Sequence, residues 1–248
     1  MVLRGSVYSN ILEMETGISV ITPNDYGQAE TYRVCYVLHG LCGGNADYSN
    51  YTMLPFYAYD KDVIFICPEV QRGFYENTAY GMRYFDYVAT ELPHLVKLVF
   101  NVSAKWEDTA IMGGSMGGYG ALKCALTYPD HYGFCAAFSP AGTAMGAYLD
   151  TCRKSGQCNF PVFYNVFGKA LHFDNSEDLT VMAARVAQSA VKPRVYMTTG
   201  NEDFLRDENL RFADDMKTLD IPFEFEELRG KHDLALFDQG IKRAIEKF

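Results

Sequence analysis

The densest chemical signal in the chain is Gly113-Gly114-Ser115-Met116-Gly117-Gly118-Tyr119-Gly120. Residues 113–117 match G-x-S-x-G between an apolar strand-like run, TAIMGG, and a helical pattern. That context predicts a nucleophile elbow, a sharp strand-to-helix turn that lifts a serine hydroxyl above a sheet. Small neighbours fit this reading, because side chains at 113 and 117 would collide with the adjoining strand or helix. The helix that follows turns its N-terminus toward developing negative charge. A phosphate-binding loop fits less well. No G-x-x-x-x-G-K-[ST] element is present, and Gly118 and Gly120 lack the rest of a dinucleotide fingerprint.

A serine hydroxyl attacks poorly unless a base takes its proton. Five histidines are available. In this arrangement the base follows the acid in chain order. His39 and His94 precede Ser115, His131 lies just after the elbow helix, and His172 precedes the strand expected to carry the acid. His232, in Arg229-Gly230-Lys231-His232-Asp233, follows the last strand-like run and precedes the last helical one. It is the expected general base and acid. The acid should follow the strand RVYMTTG, where Gly200-Asn201-Glu202-Asp203-Phe204 offers two adjacent carboxylates. Asp203 is chosen to orient His232, with Glu202 as the weaker alternative. Asp207 and Glu208 read as first-turn helix carboxylates. His39-Gly40-Leu41-Cys42-Gly43-Gly44 follows another apolar strand, where backbone donors for an oxyanion are supplied. The N–H groups of Leu41 and Met116 are the expected pair. His39 is expected to brace this loop. Cys42 is a lone loop thiol, a poor second nucleophile.

These residues need a scaffold. RVCYVLHG, DVIFICPE, TAIMGG, GFCAAFSP and RVYMTTG are near-continuous apolar runs, the pattern of strands buried on both faces. SVYSNILEM and ISVITP read as two further strands joined by a turn at Glu15-Thr16-Gly17, and FEFEEL as a last strand. Helical spacing falls between them: residues 83–99, kinked or broken at Pro93, then 116–127, and segments from Asp178, from Leu205 and at the C-terminus. The alternation predicts an α/β fold with a mostly parallel central sheet and helices on both faces. One domain is expected over residues 1–248. From about Ala141 to Asp178 no period is evident, and the stretch reads as a cap or lid insertion over the sheet edge.

Composition narrows the partners. The chain has 248 residues, a formal charge of −9 and 48 % apolar residues. It is long enough to bury a sizeable core and too apolar for disorder. The acidic balance argues against nucleic acid as a partner. No apolar run approaches the roughly 20 residues of a membrane helix. MVLRGSVYSN lacks a basic stretch followed by an apolar one, so a cytoplasmic location is expected. Seven cysteines, an odd number and mostly in apolar segments, read as buried thiols in a reducing compartment. Cys152 and Cys158 alone resemble a local pair, and their spacing without a nearby histidine argues against a metal site.

HGLCGG, GGSMGGYGALKCAL, GNEDF and GKH together resemble the esterase D-like branch of the α/β-hydrolases, which includes S-formylglutathione hydrolases, tributyrin-type acetyl esterases and cinnamoyl esterases. Arg72-Gly73-Phe74-Tyr75-Glu76-Asn77-Thr78-Ala79-Tyr80-Gly81, running on to Glu91-Leu92-Pro93, is similar to the bacterial acetyl esterases. The resemblance spans nearly the whole chain and is weakest over about 143–190. It implies an α/β-hydrolase fold and a serine carboxylesterase without metal or organic cofactor. It carries Ser115, Asp203 and His232 into a triad and Leu41 and Met116 into an oxyanion hole. Aromatic residues often follow the catalytic histidine in relatives, whereas Asp233-Leu234-Ala235-Leu236-Phe237 stands here. The implied substrate is a small-molecule ester with an acetyl to butyryl acyl group, extending to acetylated or feruloylated plant oligosaccharides. S-formylglutathione is the alternative, and a non-catalytic binding protein of the same fold a third. Tyr75, Tyr80 and Phe163 are the expected substrate-binding rings, with Phe160, Tyr164 and Phe167 near them; packing of a cap is the competing role for all of them. The family often forms homo-oligomers.

Overall fold

The computed structural model describes residues 1–248. Eight strands form one sheet: β1 (Val2–Ser9), β2 (Met14–Ile21), β3 (Arg33–Leu38), β4 (Val63–Pro68), β5 (Thr109–Gly114), β6 (Phe134–Phe138), β7 (Arg194–Gly200) and β8 (Phe223–Leu228). Their order is β1-β2-β4-β3-β5-β6-β7-β8. β1 with β2 and β2 with β4 are antiparallel; every other pair is parallel. This is the α/β-hydrolase arrangement, a mostly parallel sheet with helices on both faces.

Period-two alternation divides the core. Val34, Tyr36 and Leu38 of β3 face one layer, and Cys35 and Val37 face the other. The larger layer lies under α4 (Leu92–Val99), α5 (Met116–Thr127), α8 (Leu179–Val186) and α9 (Arg206–Lys217). The smaller lies under α1 (Asp47–Tyr51), α2 (Leu54–Tyr57) and α10 (Leu234–Lys247). α5 is buried from Met116 through Leu126, which explains why its sequence is apolar on every side apart from Lys123. No helix is long and apolar enough to cross a membrane.

Two local expectations are corrected. The first hairpin turns at residues 10–13, not at Glu15-Thr16-Gly17, which pair with Tyr8, Val7 and Ser6 inside the ladder. A distant carboxylate sets that turn: Glu91 accepts from Asn10 N at 2.7 Å and from the Ser9 hydroxyl. The segment expected to kink or break at Pro93 runs without a gap as α3 (Tyr84–Asp86), a π-turn over Tyr87–Glu91 and then α4. The wide turn places Pro93 in the first turn of α4, where its missing N–H costs nothing. Residues 141–178 hold two helices, α6 (Met145–Ser155) and α7 (Val162–Phe167). Phe163 of α7 packs on Phe74, Tyr148, Phe160 and Phe167 at ring-centroid distances of 5.0–6.0 Å. Cys152 and Cys158 are free thiols.

Candidate active site

β5 delivers Ser115 to a turn no ordinary residue adopts. Its φ is 56° and ψ is −122°. Such a conformation costs on the order of 1–3 kcal/mol and persists only where its surroundings enforce it. Here Ser115 N donates to Phe138 O at 2.9 Å, and Ser115 O accepts from Tyr119 N and Ala141 N, each at 3.1 Å. Glycine is required on both sides. A Cβ on Gly113 would lie 2.6 Å from Leu38 O, and one on Gly117 would collide with the same oxygen. The turn therefore nests against the end of β3.

The loop after β7 brings Asp203, and the loop after β8 brings His232. The two loops are latched together: Glu202 N donates to Gly230 O at 3.0 Å and Gly230 N to Asn201 Oδ1 at 3.1 Å. His232 Nδ1 lies 2.8 Å from Asp203 Oδ2, and His232 Nε2 lies 2.8 Å from Ser115 Oγ. No other histidine reaches the serine. Glu202 is exposed, whereas the Asp203 side chain is fully buried. Burial by itself would push the Asp203 carboxyl up. Hydrogen bonds from His232, Ser139 and the Leu205 amide outweigh it and hold the group below its ordinary value. Asp203 thus stays ionised beside the imidazole. Phe204 and Phe237 flank the His232 ring at 4.6 and 5.3 Å.

The loop after β3 closes the other side. A Cβ on Gly40 would stand 3.7 Å from that of Ser115. Leu41 N–H has no acceptor within the protein. Met116 opens α5, where the first amides have no partner inside the helix. Both residues line the same cavity as Ser115 and His232. His39 braces this loop. Its Nδ1 lies 2.8 Å from Gly40 O and its Nε2 3.2 Å from Glu69 Oε1. Burial raises the Glu69 carboxyl, but His39 and the amides of Asn45 and Gln71 bring it down to about 2.

The cavity measures about 650 Å³, and most of its 22 lining residues are hydrophobic. Phe163 is among them, as are Phe74, Tyr148 and Phe160. Tyr75 and Tyr80 are not, which corrects their expected place at the substrate. Tyr75 is fully buried and donates to His39 O at 3.0 Å, so its hydroxyl props the oxyanion loop from behind. Tyr80 is 65 % exposed and does not line the cavity. Tyr164 and Phe167 do not line it either. Tyr48 went unnoticed in the sequence: its hydroxyl donates to Leu38 O at 3.1 Å and accepts from Gly114 N at 2.8 Å, tying the ends of β3 and β5 together behind the serine. Only its being the one buried residue of α1, which sequence does not display, would have flagged it.

The model of the Esterase family matches residues 9–245. The chain belongs to the Esterase family. Within it the chain falls in the esterase D-like branch of the α/β-hydrolases. An acetyl esterase of Caldicellulosiruptor saccharolyticus is 27 % identical over 99 % of this chain and 97 % of that protein. The S-formylglutathione hydrolase FrmB of Staphylococcus aureus superposes with a TM-score of 0.85 at 30 % identity, covering 100 % of this chain and 98 % of that one. FphF, a fluorophosphonate-binding serine hydrolase of Staphylococcus aureus, does so with a TM-score of 0.85 at 28 % identity, covering 100 % and 97 %. Like its relatives in the Esterase family, the chain is a carboxylic ester hydrolase.

Proposed function

We propose that the protein is a serine carboxylesterase that cleaves short-chain acyl esters through an acyl-serine intermediate. The observation that carries this is the unbroken line of two 2.8 Å contacts from Asp203 through His232 to Ser115. Ser115 Oγ attacks the ester carbonyl as His232 Nε2 takes its proton. The charge on the carbonyl oxygen falls to the Leu41 and Met116 amides, held in place before reaction. His232 then protonates the leaving alcohol, leaving the acid esterified to Ser115. Water attacks in turn, with the same proton path, and releases the acid and Ser115. Asp203 keeps the imidazole in the tautomer that accepts from serine and stabilises its cation. Residues 141–178 act as the cap, and Phe163, rather than Tyr75 or Tyr80, is the substrate-side ring of the three expected.

Within the acetyl-to-butyryl range, an acetyl group is supported by the acetyl esterase relative. The likeness to FrmB supports thioester cleavage as a second reading, because the same nucleophile and oxyanion donors serve both. The test is Ser115→Ala assayed on p-nitrophenyl acetate and butyrate. Turnover should fall by about 10⁴-fold or more while the thermal unfolding transition is retained. Near-wild-type turnover in a folded variant would refute the assignment.

A further inference from the structure

The walls of the cavity above Ser115 carry a charge pattern that bond cleavage does not require. The charged lining side chains are Asp47, Glu208 and Asp233. No lysine or arginine lines the cavity. Lys231 adjoins His232 in sequence but is exposed and lies outside the lining.

The three carboxylates come from three separate elements, and two of them, Glu208 and Asp233, are held by hydrogen bonds. Asp47 opens α1 with its carboxylate against Gly43 of the oxyanion loop. Glu208, in the first turn of α9, accepts from the Thr143 hydroxyl at 2.9 Å and from Ala144 N at 3.3 Å. Asp233 caps α10, accepting from Leu236 N at 3.0 Å. The remaining wall is aromatic and aliphatic. Phe204 is 72 % exposed although its ring lies 4.6 Å from that of His232, and Phe160 is 44 % exposed. Rings left in water beside the attacking pair offer a surface for an apolar substrate group, and their faces also attract cations.

We propose that the cavity acts as a charge filter, taking uncharged or cationic esters with apolar groups beside the carbonyl and turning away anionic ones. This rests on the carboxylesterase reading above and narrows it. A glutathione thioester carries two carboxylates and one ammonium, so it falls on the excluded side. The physical reason is that a substrate carboxylate entering a low-dielectric apolar cavity loses water and meets like charge with no cation to replace it. Like-charge juxtaposition at a binding surface suppresses wrong partners in this way.

The experiment uses the full chain and three acetate esters of meta-substituted phenols: carbamoyl (neutral), carboxylate (anionic) and trimethylammonio (cationic). Each kcat/KM is divided by the rate constant of that ester with hydroxide, which removes leaving-group reactivity. S-formylglutathione is assayed beside them. The neutral and cationic esters should be cleaved at comparable normalised efficiency, with the anionic ester lower by about tenfold or more at low salt. The deficit should shrink as salt is raised, since screening shortens to about 3 Å at 1 M. It should also shrink in the Asp47→Asn/Glu208→Gln double variant. Equal efficiency for the anionic ester would overturn the proposal. So would a deficit that salt does not move, or S-formylglutathione outpacing the neutral ester. Failure to cleave any of the three acetates is a different result, and it would bring down the carboxylesterase reading itself.

Discussion

Ser115 sits at φ 56°, and the chain holds it there with backbone hydrogen bonds to Phe138, Tyr119 and Ala141. A strained residue with this much support places its hydroxyl where His232 Nε2 can reach it, at 2.8 Å. Asp203 acts at one remove, through the imidazole. Its neighbour Glu202 shares its chemistry but points to solvent, so position alone separates the two. Asp203→Asn should therefore lower kcat by about 10³- to 10⁴-fold, because the amide no longer enforces the required tautomer. Glu202→Gln should leave kcat within about twofold, as surface substitutions generally do. Steady-state kinetics on p-nitrophenyl butyrate compares them; equal losses would reassign the acid. Ser115, Asp203 and His232 were legible in the sequence because each follows a strand-like run and their order restricts the choice. Tyr48 and Tyr75 were not legible in these roles. Their hydroxyls act on the carbonyls of Leu38 and His39, and nothing local to either tyrosine encodes a contact across 10 or 36 residues.

At the scale of elements, the strands that carry the site read clearly because burial on both faces demands continuous apolar runs. The misread parts are those fixed from a distance. The first hairpin takes its turn from Glu91, and the π-turn before α4 accommodates Pro93. The segment after β6 looked aperiodic because α6 and α7 are short and their rings pack on one another as well as on the sheet. Lys123 of α5, the helix that begins at the nucleophile, makes a buried ion pair with Glu76 and a second, half-exposed one with Glu177 in the segment leading out of that region. Lys123 Nζ pairs with Glu76 and reaches Glu177 at 2.7 Å, while the Tyr119 hydroxyl donates to Glu76 at 2.6 Å. Burial would drive Lys123 toward its neutral form, but the two carboxylates keep it charged. Lys123→Ala strands Glu76 as an unpaired buried charge and should cost about 3–5 kcal/mol. Urea unfolding monitored by far-UV circular dichroism measures this. A loss under about 1 kcal/mol would show that Glu76 takes up a proton or finds water instead.

For the whole molecule, the reaction depends on joining positions 115, 203 and 232, which lie on three loops at one edge of the sheet. The parallel strand order β5-β6-β7-β8 puts those loops side by side, each leaving a strand at its C-terminal end. The oxyanion loop leaves β3, the neighbour of β5 on the other side. The region between β6 and β7 supplies Phe163, Phe160 and Tyr148 to the cavity above them, so one sheet edge gathers nucleophile, base, acid, oxyanion donors and apolar wall. The mechanism depends on Ser115 itself carrying the acyl group between two half-reactions. The most direct measurement is to mix the protein with p-nitrophenyl butyrate, quench with acid within the first turnovers and map the butyryl adduct by peptide mass spectrometry. The adduct should lie on Ser115, form as fast as nitrophenol is released, and be absent from Ser115→Ala. Butyryl on another residue such as Cys42, or full turnover with no adduct at Ser115 in any quench, would contradict it.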